Sequence, residues 1–182
     1  MSVLTRTPEN TNYLQPTKFL LTFSRIPNAT WFCQSVNIPG MSVGQAPINF
    51  PSVMVYSPGN QIMYNNFNMT FNVNEDLQSW IDLHDWFRSF ASPDGTDERN
   101  LKTQLQNQYN TPTVQNSKSK LHYSDATLTV LSALNNPIVR VEFTNMFPVS
   151  LSDIYFDTKQ SADDIITADA TFVYDQFKFV PI

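Results

Sequence analysis

Residues 139–180 read VRVEFTNMFPVSLSDIYFDTKQSADDIITADATFVYDQFKFV, and this stretch carries most of the fold prediction. A β-strand runs into a Phe-Pro break at residues 147–148, and a short apolar run that includes another strand follows at residues 151–156. An acidic turn then leads into a terminal strand over residues 170–179, in which apolar and polar side chains alternate. Such alternation is typical of a strand with one buried face. The C-terminal third therefore predicts a mainly-β chain.

Two β-hairpins are predicted upstream of this stretch. The first joins alternating residues 18–24 to an apolar run at residues 31–38 through a Pro-Asn turn, and the second joins residues 125–131 to residues 138–143 through Asn-Asn-Pro. Turn-forming residues between two alternating runs are the usual hairpin signal.

Residues 39–60 are interrupted by proline and glycine, yet they contain many apolar side chains. Because proline is confined to the edges and turns of sheets, this segment is predicted to be an extended loop or loose hairpin that projects from the body. Projecting apolar side chains need a partner to cover them. The candidate contact residues are Met41, Val43, Ile48, Phe50, Val53, Val55 and Tyr56. The alternative is a long loop that folds back on its own core.

Residues 61–73 are predicted to form one long strand with an apolar face and a polar face. The polar face is exposed to water or to a lumen, as in the wall of an antiparallel sheet or barrel. Its candidate lumen residues are Asn66, Asn68, Thr70 and Asn72.

One amphipathic helix is predicted from the N-cap Asn74 to about Phe90, with Glu75 and Asp76 in its first turn. Its apolar stripe includes Leu77, Trp80, Ile81, Leu83, Trp86, Phe87 and Phe90, whereas Gln78, Asp82, Asp85 and Ser89 form its polar face.

The length of 182 residues and the hydrophobic content of 41% favour a single domain over residues 1–182. Residues 1–16 are polar and are expected to form an N-terminal arm. Residues 94–121 are polar and weakly patterned, which indicates a long insertion with at most one short helix around Leu101, Leu105 and Tyr109.

Charge and hydropathy exclude several classes of protein. The net charge is −5 and lysine and arginine are scattered, so no cluster that could neutralise nucleic-acid phosphates is visible. No run of about 18 apolar residues exists, so no membrane span is predicted. The N-terminus lacks the apolar segment of a signal peptide. The single cysteine, Cys33, allows no internal disulfide and is expected to be a small buried hydrophobe.

Catalytic, metal-binding and cofactor-binding residues are predicted to be absent. His84 lies among apolar helix residues and is expected in a core or interface, while His122 is expected to be exposed. The four glycines form no phosphate-binding loop. The acidic residues Asp153, Asp157, Asp163, Asp164 and Asp169 do not follow the EF-hand ligand pattern, so a solvated turn or lumen-facing cluster is favoured.

The order of these elements resembles that of tail tube proteins of contractile-tailed bacteriophages (myoviruses). The similar elements are the strand at residues 18–24, the strand and Pro-Gly turn in FCQSVNIPGMSVG at residues 32–44, the strand and Trp-containing helix at residues 65–90, and the C-terminal stretch. The resemblance covers residues 17–90 and 125–180. It implies a mainly β (α+β) fold, an antiparallel β-sandwich or barrel-like tail tube fold with one flanking α-helix and a long insertion.

The resemblance also implies a virion structural protein that is not an enzyme and needs no cofactor. In that family, hexameric rings join their sheets into an inner barrel and stack into a hollow tube, with the loop after the first hairpin reaching the adjacent ring. The expected partners are further copies of the chain and the tail sheath, tape-measure and baseplate proteins. Genomic DNA would pass through without specific binding. The protein would be located in the virion tail after assembly in the host cytoplasm.

Three alternatives stay open at this stage. The first is a tube-initiating or tube-terminating baseplate or neck protein of the same fold. The second is a monomeric β-sandwich adaptor or carbohydrate-binding module, which would also suit the 13% aromatic content. The third is an enzyme, for which the sequence offers the least support.

Overall fold

The computed structural model describes residues 11–90, 122–159, 161 and 164–182. The elements within these residues, in chain order, are β1 (Phe19–Phe23), α1 (Pro27–Trp31), β2 (Cys33–Val36), β3 (Met41–Phe50), β4 (Val53–Tyr64), β5 (Phe67–Asn72), α2 (Gln78–Phe90), β6 (Ser124–Leu131), β7 (Pro137–Leu151), β8 (Thr167–Val173) and β9 (Gln176–Pro181).

Two antiparallel sheets share the long strand β7. In the first sheet the strand order is β1-β6-β7-β9, and in the second it is β7-β8-β5-β2. The N-terminal part of β7 pairs with β6 and β9, and residues 147–151 pair with β8. The prediction of a mainly-β antiparallel sandwich flanked by a helix is thereby confirmed.

β7 passes from one sheet to the other at Asn145, whose φ of 54° lies in the left-handed region. Asparagine is one of the few residues other than glycine that adopts this conformation readily. Its backbone N–H donates to Asp125 Oδ1 at 3.1 Å, and its side-chain amide donates to Asp175 Oδ2 at 2.6 Å. The predicted break at Phe147-Pro148 is therefore wrong: the strand bends earlier and continues. Pro148 is tolerated because this half of β7 is the edge of the second sheet.

The core lies between the sheets and is built around four phenylalanines. Phe23 and Phe143 come from the first sheet, and Phe67 and Phe172 come from the second. Their ring centroids lie 5.1 to 6.2 Å apart, mostly in edge-on arrangements that aromatic quadrupoles favour. Each ring is at most 3% exposed, so the cluster joins the two sheets.

Helix α2 packs against this core through Leu83 and Trp86, both of which are buried. The Trp86 ring lies 6.0 Å from Phe172, its indole N–H donates to the His122 carbonyl at 3.0 Å, and the Arg25 guanidinium lies 4.9 Å from its centroid. Burial lowers the pKa of Arg25 to about 10.

Helix α2 begins three residues later than the sequence predicts. Leu77 has a φ of 58°, so the helical conformation does not extend to Glu75 and Asp76. Asn74 does not cap a helix that starts at residue 75; its Oδ1 instead accepts from the backbone N–H of Ser79 at 2.9 Å.

The two faces of α2 also differ from the prediction at two residues. Ser89 is buried, and its hydroxyl donates to the Trp86 carbonyl at 2.6 Å. Ile81, assigned to the apolar stripe, is 37% exposed. A serine that bonds within its own helix can enter a buried face, which hydropathy alone does not reveal.

The first predicted hairpin is wrong, whereas the second is confirmed. β1 pairs with β6, and β2 pairs with β5, so the two strands belong to different sheets. Residues 27–31 form α1, which carries the chain between the sheets with Ala29 buried. The β6–β7 hairpin forms as predicted, with Asn135 at a φ of 63° in its turn.

Two predicted long strands each divide at a change of sheet. Residues 61–73 divide into the end of β4 and β5, and residues 170–179 divide into the end of β8 and β9. The predicted strand around Ile154 is also wrong, because residues 152–157 form no strand. Alternation continues through a corner when the chain joins another sheet, so the pattern does not mark the corner.

Parts of the predicted arm and insertion lie outside the described residues. Residues 11–16 of the arm belong to no helix or strand and are exposed. Residues 1–10, the insertion at residues 94–121 and its possible short helix are not described, and neither is Asp163.

We expect Phe67→Ala to lower the free energy of unfolding by about 3–5 kcal/mol, because it leaves a cavity among three aromatic rings. Denaturant titration followed by circular dichroism measures this change. Phe156→Ala is the control, since Phe156 is 77% exposed and should change stability by no more than about 0.5 kcal/mol. Equal effects of the two substitutions would contradict the assigned core.

Candidate assembly interface

Strands β3 and β4 form a two-stranded sheet of their own. The segment at residues 39–60 is therefore a regular hairpin, the second of the two forms that the sequence predicts. All seven candidate contact residues lie on it and are between 43% and 61% exposed. The alternative in which this segment folds back on its own core is wrong for these side chains.

The strand register divides the outer half of the hairpin into two faces. Ile48 lies opposite Val55 and Phe50 lies opposite Val53, and these four residues form what we call the apolar face. On the reverse side, Pro47 lies opposite Tyr56 and Asn49 lies opposite Met54; we call these four residues the mixed face. Both faces are exposed, so neither packs on the core.

Sequence reasoning missed Ile62 and Met63 as exposed residues. They are 57% and 58% exposed, although both lie in the strand predicted over residues 61–73 with one apolar face. The available signal was the distribution of charge: no Asp, Glu, Lys, Arg or His occurs between Arg25 and Glu75. Edge strands exposed to water are usually protected by charged side chains, and this hairpin has none.

A close glycine contact shapes the base of the hairpin. The register shifts between Val43 and Gln45, where three residues of β4 are accommodated opposite Gly44. A Cβ on Gly59 would lie 2.6 Å from the Gly44 carbonyl oxygen, which is closer than real Cβ contacts. Gly59 is therefore required by close backbone approach, whereas a Cβ on Gly44 would meet no atom within 4 Å.

The hairpin is attached to the body through Tyr64. Its ring lies 5.8 Å from the ring of Tyr174 and 5.5 Å from that of Phe177. The Tyr174 hydroxyl donates to the Asn65 carbonyl at 2.9 Å, and the Asn65 N–H donates to the Gly40 carbonyl at 3.0 Å. One end of the hairpin is thus fixed to the core, while its apolar outer half is exposed.

The candidate lumen residues lie on or beside the outer face of the second sheet. Thr70 Oγ1 donates to Asp169 Oδ1 at 2.7 Å, and Thr171 Oγ1 donates to Asn68 Oδ1 at 3.1 Å. The Asn68 N–H also donates to Asn37 Oδ1 at 2.7 Å, so this polar surface spans several strands.

The remaining two candidate lumen residues differ from each other in exposure. Asn66 is exposed just before β5, whereas Asn72 is partly buried and its amide oxygen is inaccessible to solvent. Thr70 is likewise partly buried, so Asn66 and Asn68 are the exposed members of the set.

The histidines and the cysteine occupy structural environments. His84 stacks on Trp80 with centroids 5.4 Å apart, and its Nδ1 lies 3.5 Å from Asp85. His122 is partly buried rather than exposed, with its ring 5.4 Å from that of Phe90. Cys33 is only partly buried, and burial raises the pKa of its thiol to about 11, which disfavours the reactive thiolate.

Within the described ranges, no group of three or more His, Cys, Asp or Glu side chains is arranged to hold a metal ion. None of the helices in those ranges has the length and apolar character needed to span a membrane.

Solved structures with this fold include proteins of a contractile injection system and of the anti-feeding prophage. The chain is 16% identical to a protein of the sheath-tube complex of the extracellular contractile injection system PVC, with 94% of each chain covered and a TM-score of 0.58. It is 13% identical to the tube terminating cap of the anti-feeding prophage, with 100% of each chain covered and a TM-score of 0.61. A PVC sheath/tube terminator is 18% identical over 94% of this chain and 99% of that one, with a TM-score of 0.59. A search of curated proteins finds no match.

The architecture is therefore shared with tube and tube-terminator proteins of contractile devices. The phage tail tube protein family matches residues 14–180, and the chain belongs to this family. Its role is accordingly that of a structural component of a tail tube.

We expect Gly59→Ala to speed hydrogen exchange of β3 and β4 amides by about tenfold, since the added methyl group forces the strands apart at the base; this corresponds to about 1.4 kcal/mol. Gly44→Ala is the matched control and should leave exchange unchanged. Hydrogen–deuterium exchange with mass spectrometry resolves the hairpin from the body. Equal protection in the two variants would contradict the close contact.

Tyr174 should contribute a decrease in stability between pH 10 and pH 12, and comparison of the wild-type chain with Tyr174→Phe isolates it from the opposite contribution of Arg25, whose pKa is lowered to about 10. Burial, and secondarily the charge of Tyr64, raises the pKa of Tyr174 from its ordinary value of 10 to about 12. In this interval the unfolded chain loses the phenolic proton while the folded chain retains it, so folding becomes less favourable by up to about 1.4 kcal/mol per pH unit. Denaturant titrations across this range should show a shallower decrease for Tyr174→Phe. Tyr155→Phe, at a residue 77% exposed, should retain the wild-type slope.

Proposed function

We propose that this protein forms stacked hexameric rings of the inner tail tube of a bacteriophage, a conduit for DNA and the tape-measure protein. The observation that carries the proposal is the β3–β4 hairpin. It is uncharged and one of its two faces is entirely apolar, yet it is exposed in the single subunit. Contact of this hairpin with the adjacent ring, as the resemblance to tail tube proteins implies, would explain this exposure.

The energetics favour burial of the hairpin by another protein. A Val, Ile, Phe or Met side chain gains about 1.5–3 kcal/mol when fully buried, so a half-exposed one gains about 1 kcal/mol on being covered. Eight hairpin side chains fall in this half-exposed range: the four residues of the apolar face and Met54, Tyr56, Ile62 and Met63. Ring stacking would also remove the two open backbone edges of the hairpin, which otherwise favour aggregation.

The polar surface that contains Asn66, Asn68 and Thr70 is the candidate wall of the lumen. Its hydrogen-bond network contains the Asp169 carboxylate and no lysine or arginine. Binding to DNA depends on positively charged side chains that neutralise the phosphates. A negatively charged chain instead repels the phosphates. With a net charge of −5 per chain, a hexamer carries 6 × −5 = −30, so DNA and the tape-measure protein can pass without being held.

The proposed partners are the tail sheath and baseplate proteins. Similar proteins occur in a sheath-tube complex and in the baseplate of the anti-feeding prophage, the latter with a TM-score of 0.51. The protein would be assembled in the host cytoplasm into the virion tail. It would act as a non-enzymatic component without a cofactor.

A terminating or initiating position at the end of the tube is the second candidate. Two of the similar structures are a tube terminating cap and a sheath/tube terminator. Quantitative mass spectrometry of purified particles separates the two: copies for many rings identify the principal tube subunit, and copies for one or two rings identify a tube-end protein. Absence from particles would contradict both and favour the monomeric binding module.

We expect the purified full chain to form rings and tubes, and Phe50→Asp/Val55→Asp to abolish them without unfolding the subunit. Both residues lie on the exposed apolar face, where an introduced charge would be buried when rings stack but is solvated in the monomer. Negative-stain electron microscopy and sedimentation velocity measure assembly, and thermal melts measure folding.

The control for this experiment is Phe50→Leu/Val55→Ile, which keeps the face apolar and should assemble. Because assembly itself stabilises the folded subunit, melting temperatures are compared where the wild-type chain is also unassembled; a lowered melting temperature of the Asp variant alone would then place these residues in the core and contradict the proposal. A cryo-EM reconstruction of wild-type tubes tests the proposed hexameric ring and lumen wall, because it measures the ring symmetry and the surface that lines the lumen. A different symmetry would overturn the proposed hexamer, and a lumen formed by another surface would overturn the proposed lumen wall.

A further inference from the structure

We infer that Tyr155 and Phe156 of one copy occupy a groove on the neighbouring copy of the same ring, between strands β1 and β2 of that neighbour. Each copy contributes two aromatic side chains to a site that the next copy provides. This inference rests on the proposed ring assembly and specifies a side-chain contact that closes the ring.

The receiving surface is an open groove of about 360 Å³, which we call the β1–β2 groove; its lining lies within residues 16–21 and 30–34. Its volume falls in the range of pockets that hold small ligands. β1 is an edge strand of the first sheet, and β2 is an edge strand of the second. Leu20 and Trp31 of the lining are 58% and 84% exposed. Aromatic side chains are enriched in protein interfaces, so an exposed tryptophan at a concave surface indicates a binding site for another chain.

The side chains that would fill the groove follow directly after β7. Tyr155 and Phe156 are each 77% exposed and belong to no helix or strand. The segment starts from a fixed point, because the Ser152 N–H donates to the Asp169 carbonyl at 2.9 Å and the Ser152 carbonyl accepts from the Trp80 indole at 3.3 Å. Aromatic side chains supply a large contact area with few rotatable bonds, so this pair is suited to bind a partner.

The strand register places the two surfaces at the same level of the second sheet. One row of paired residues crosses this sheet from Val36 in β2 to Leu151 in β7. Beyond that row, β7 leads on to Tyr155, and in the same direction β2 leads back to Cys33 and Trp31. The aromatic pair and the groove therefore lie at the same end of the sheet, towards its opposite edges.

Joining two copies edge to edge brings these surfaces together. The three pairings from β7 through β8 and β5 to β2 are all antiparallel, so β7 and β2 run in opposite directions. The end of β7 in one copy can therefore pair with β2 of the next as an antiparallel neighbour, which removes both open edges. With the rows aligned, Tyr155 and Phe156 lie beside Trp31 of the next copy. A contact between two different surfaces repeats from copy to copy and can close into a ring.

The charges of the two surfaces are complementary. Residues 152–157 contain two aspartates and no cation, whereas residues 16–34, which include the whole groove lining, contain Lys18 and Arg25 and neither Asp nor Glu. Opposite charges favour the correct approach of two surfaces. Since one chain carries both complementary surfaces, a further copy of the chain is the partner that fits the groove.

Site-specific photo-crosslinking in the full chain tests this contact. Phe156→p-benzoylphenylalanine keeps an aromatic ring at an exposed position and links it to neighbouring groups on irradiation. The assembled variant is irradiated, products are separated on a denaturing gel, and mass spectrometry of digested dimers identifies the linked residues. Phe179→p-benzoylphenylalanine is the matched control, because Phe179 is also exposed but lies on β9, at the opposite edge of the first sheet from β1.

We expect the variant at Phe156 to give a ladder of covalent oligomers that ends at the number of copies in one ring, with its links mapped to residues 16–34. The control should give no links to those residues. Links to another part of the chain, no ladder in intact tubes, or a ladder longer than one ring would overturn the inference while the proposed tube stands. A wild-type chain that forms no rings or tubes would overturn the proposed function itself.

Truncation measures the strength of the contact. Tyr155→Ala/Phe156→Ala and Trp31→Ala should each raise the chain concentration at which rings dissociate by about tenfold, as expected for buried aromatic anchors. Combining them should add little, because both remove the same contact. Sedimentation velocity on dilution measures dissociation. Independent effects that multiply, or wild-type dissociation in these variants, would overturn the inference.

Discussion

The fold depends on a single strand that belongs to two sheets. β7 can cross from one sheet to the other because Asn145 adopts a left-handed conformation and is held by Asp125 and Asp175. Without that corner, the pairing of β6 and β9 with its first half would be disconnected from the pairing of β8 with its second half. The four-phenylalanine core and the packing of α2 both require the two sheets to be held face to face.

The body and the hairpin are stabilised in different ways. The body buries its large side chains within one subunit, with Phe67, Phe143 and Phe172 almost inaccessible to water. Among the residues that the structure describes, the hairpin is fixed near its base through Tyr64 and Asn65, and its outer half is held in shape by pairing between its own strands. Association with another chain would therefore supply the burial that the hairpin lacks. This division separates folding of the subunit from its proposed assembly.

The sequence predicted the fold class, the β6–β7 hairpin, the position of α2 and the apolar character of residues 39–60. Errors occurred where the chain turns a corner between sheets. Alternation in residues 61–73 and 170–179 continues through these corners, because the new strand again has one buried face. Local pattern also could not show that β1 and β2 join different sheets, since pairing with β6 and β5 depends on distant residues.

The candidate interface was predictable in part. Exposed apolar residues among prolines indicated a segment that needs a partner, and all seven predicted contact residues are exposed on the hairpin. The two faces followed only from the register, which pairs Ile48 with Val55 and Asn49 with Met54. Burial of the Asn72 amide oxygen likewise depends on packing, which a polar strand face does not reveal.

The uncharged composition of the hairpin has a consequence for how its contacts respond to salt and acidity. Dissolved ions screen interactions between exposed charges that lie more than about 8–10 Å apart at ordinary ionic strengths, and titration of side chains changes such interactions with acidity. Hairpin side chains that contain neither fixed charges nor carboxyl, amino or imidazole groups give salt nothing to screen and mild acid nothing to protonate. An interface made through them would not be weakened by the salt of its surroundings.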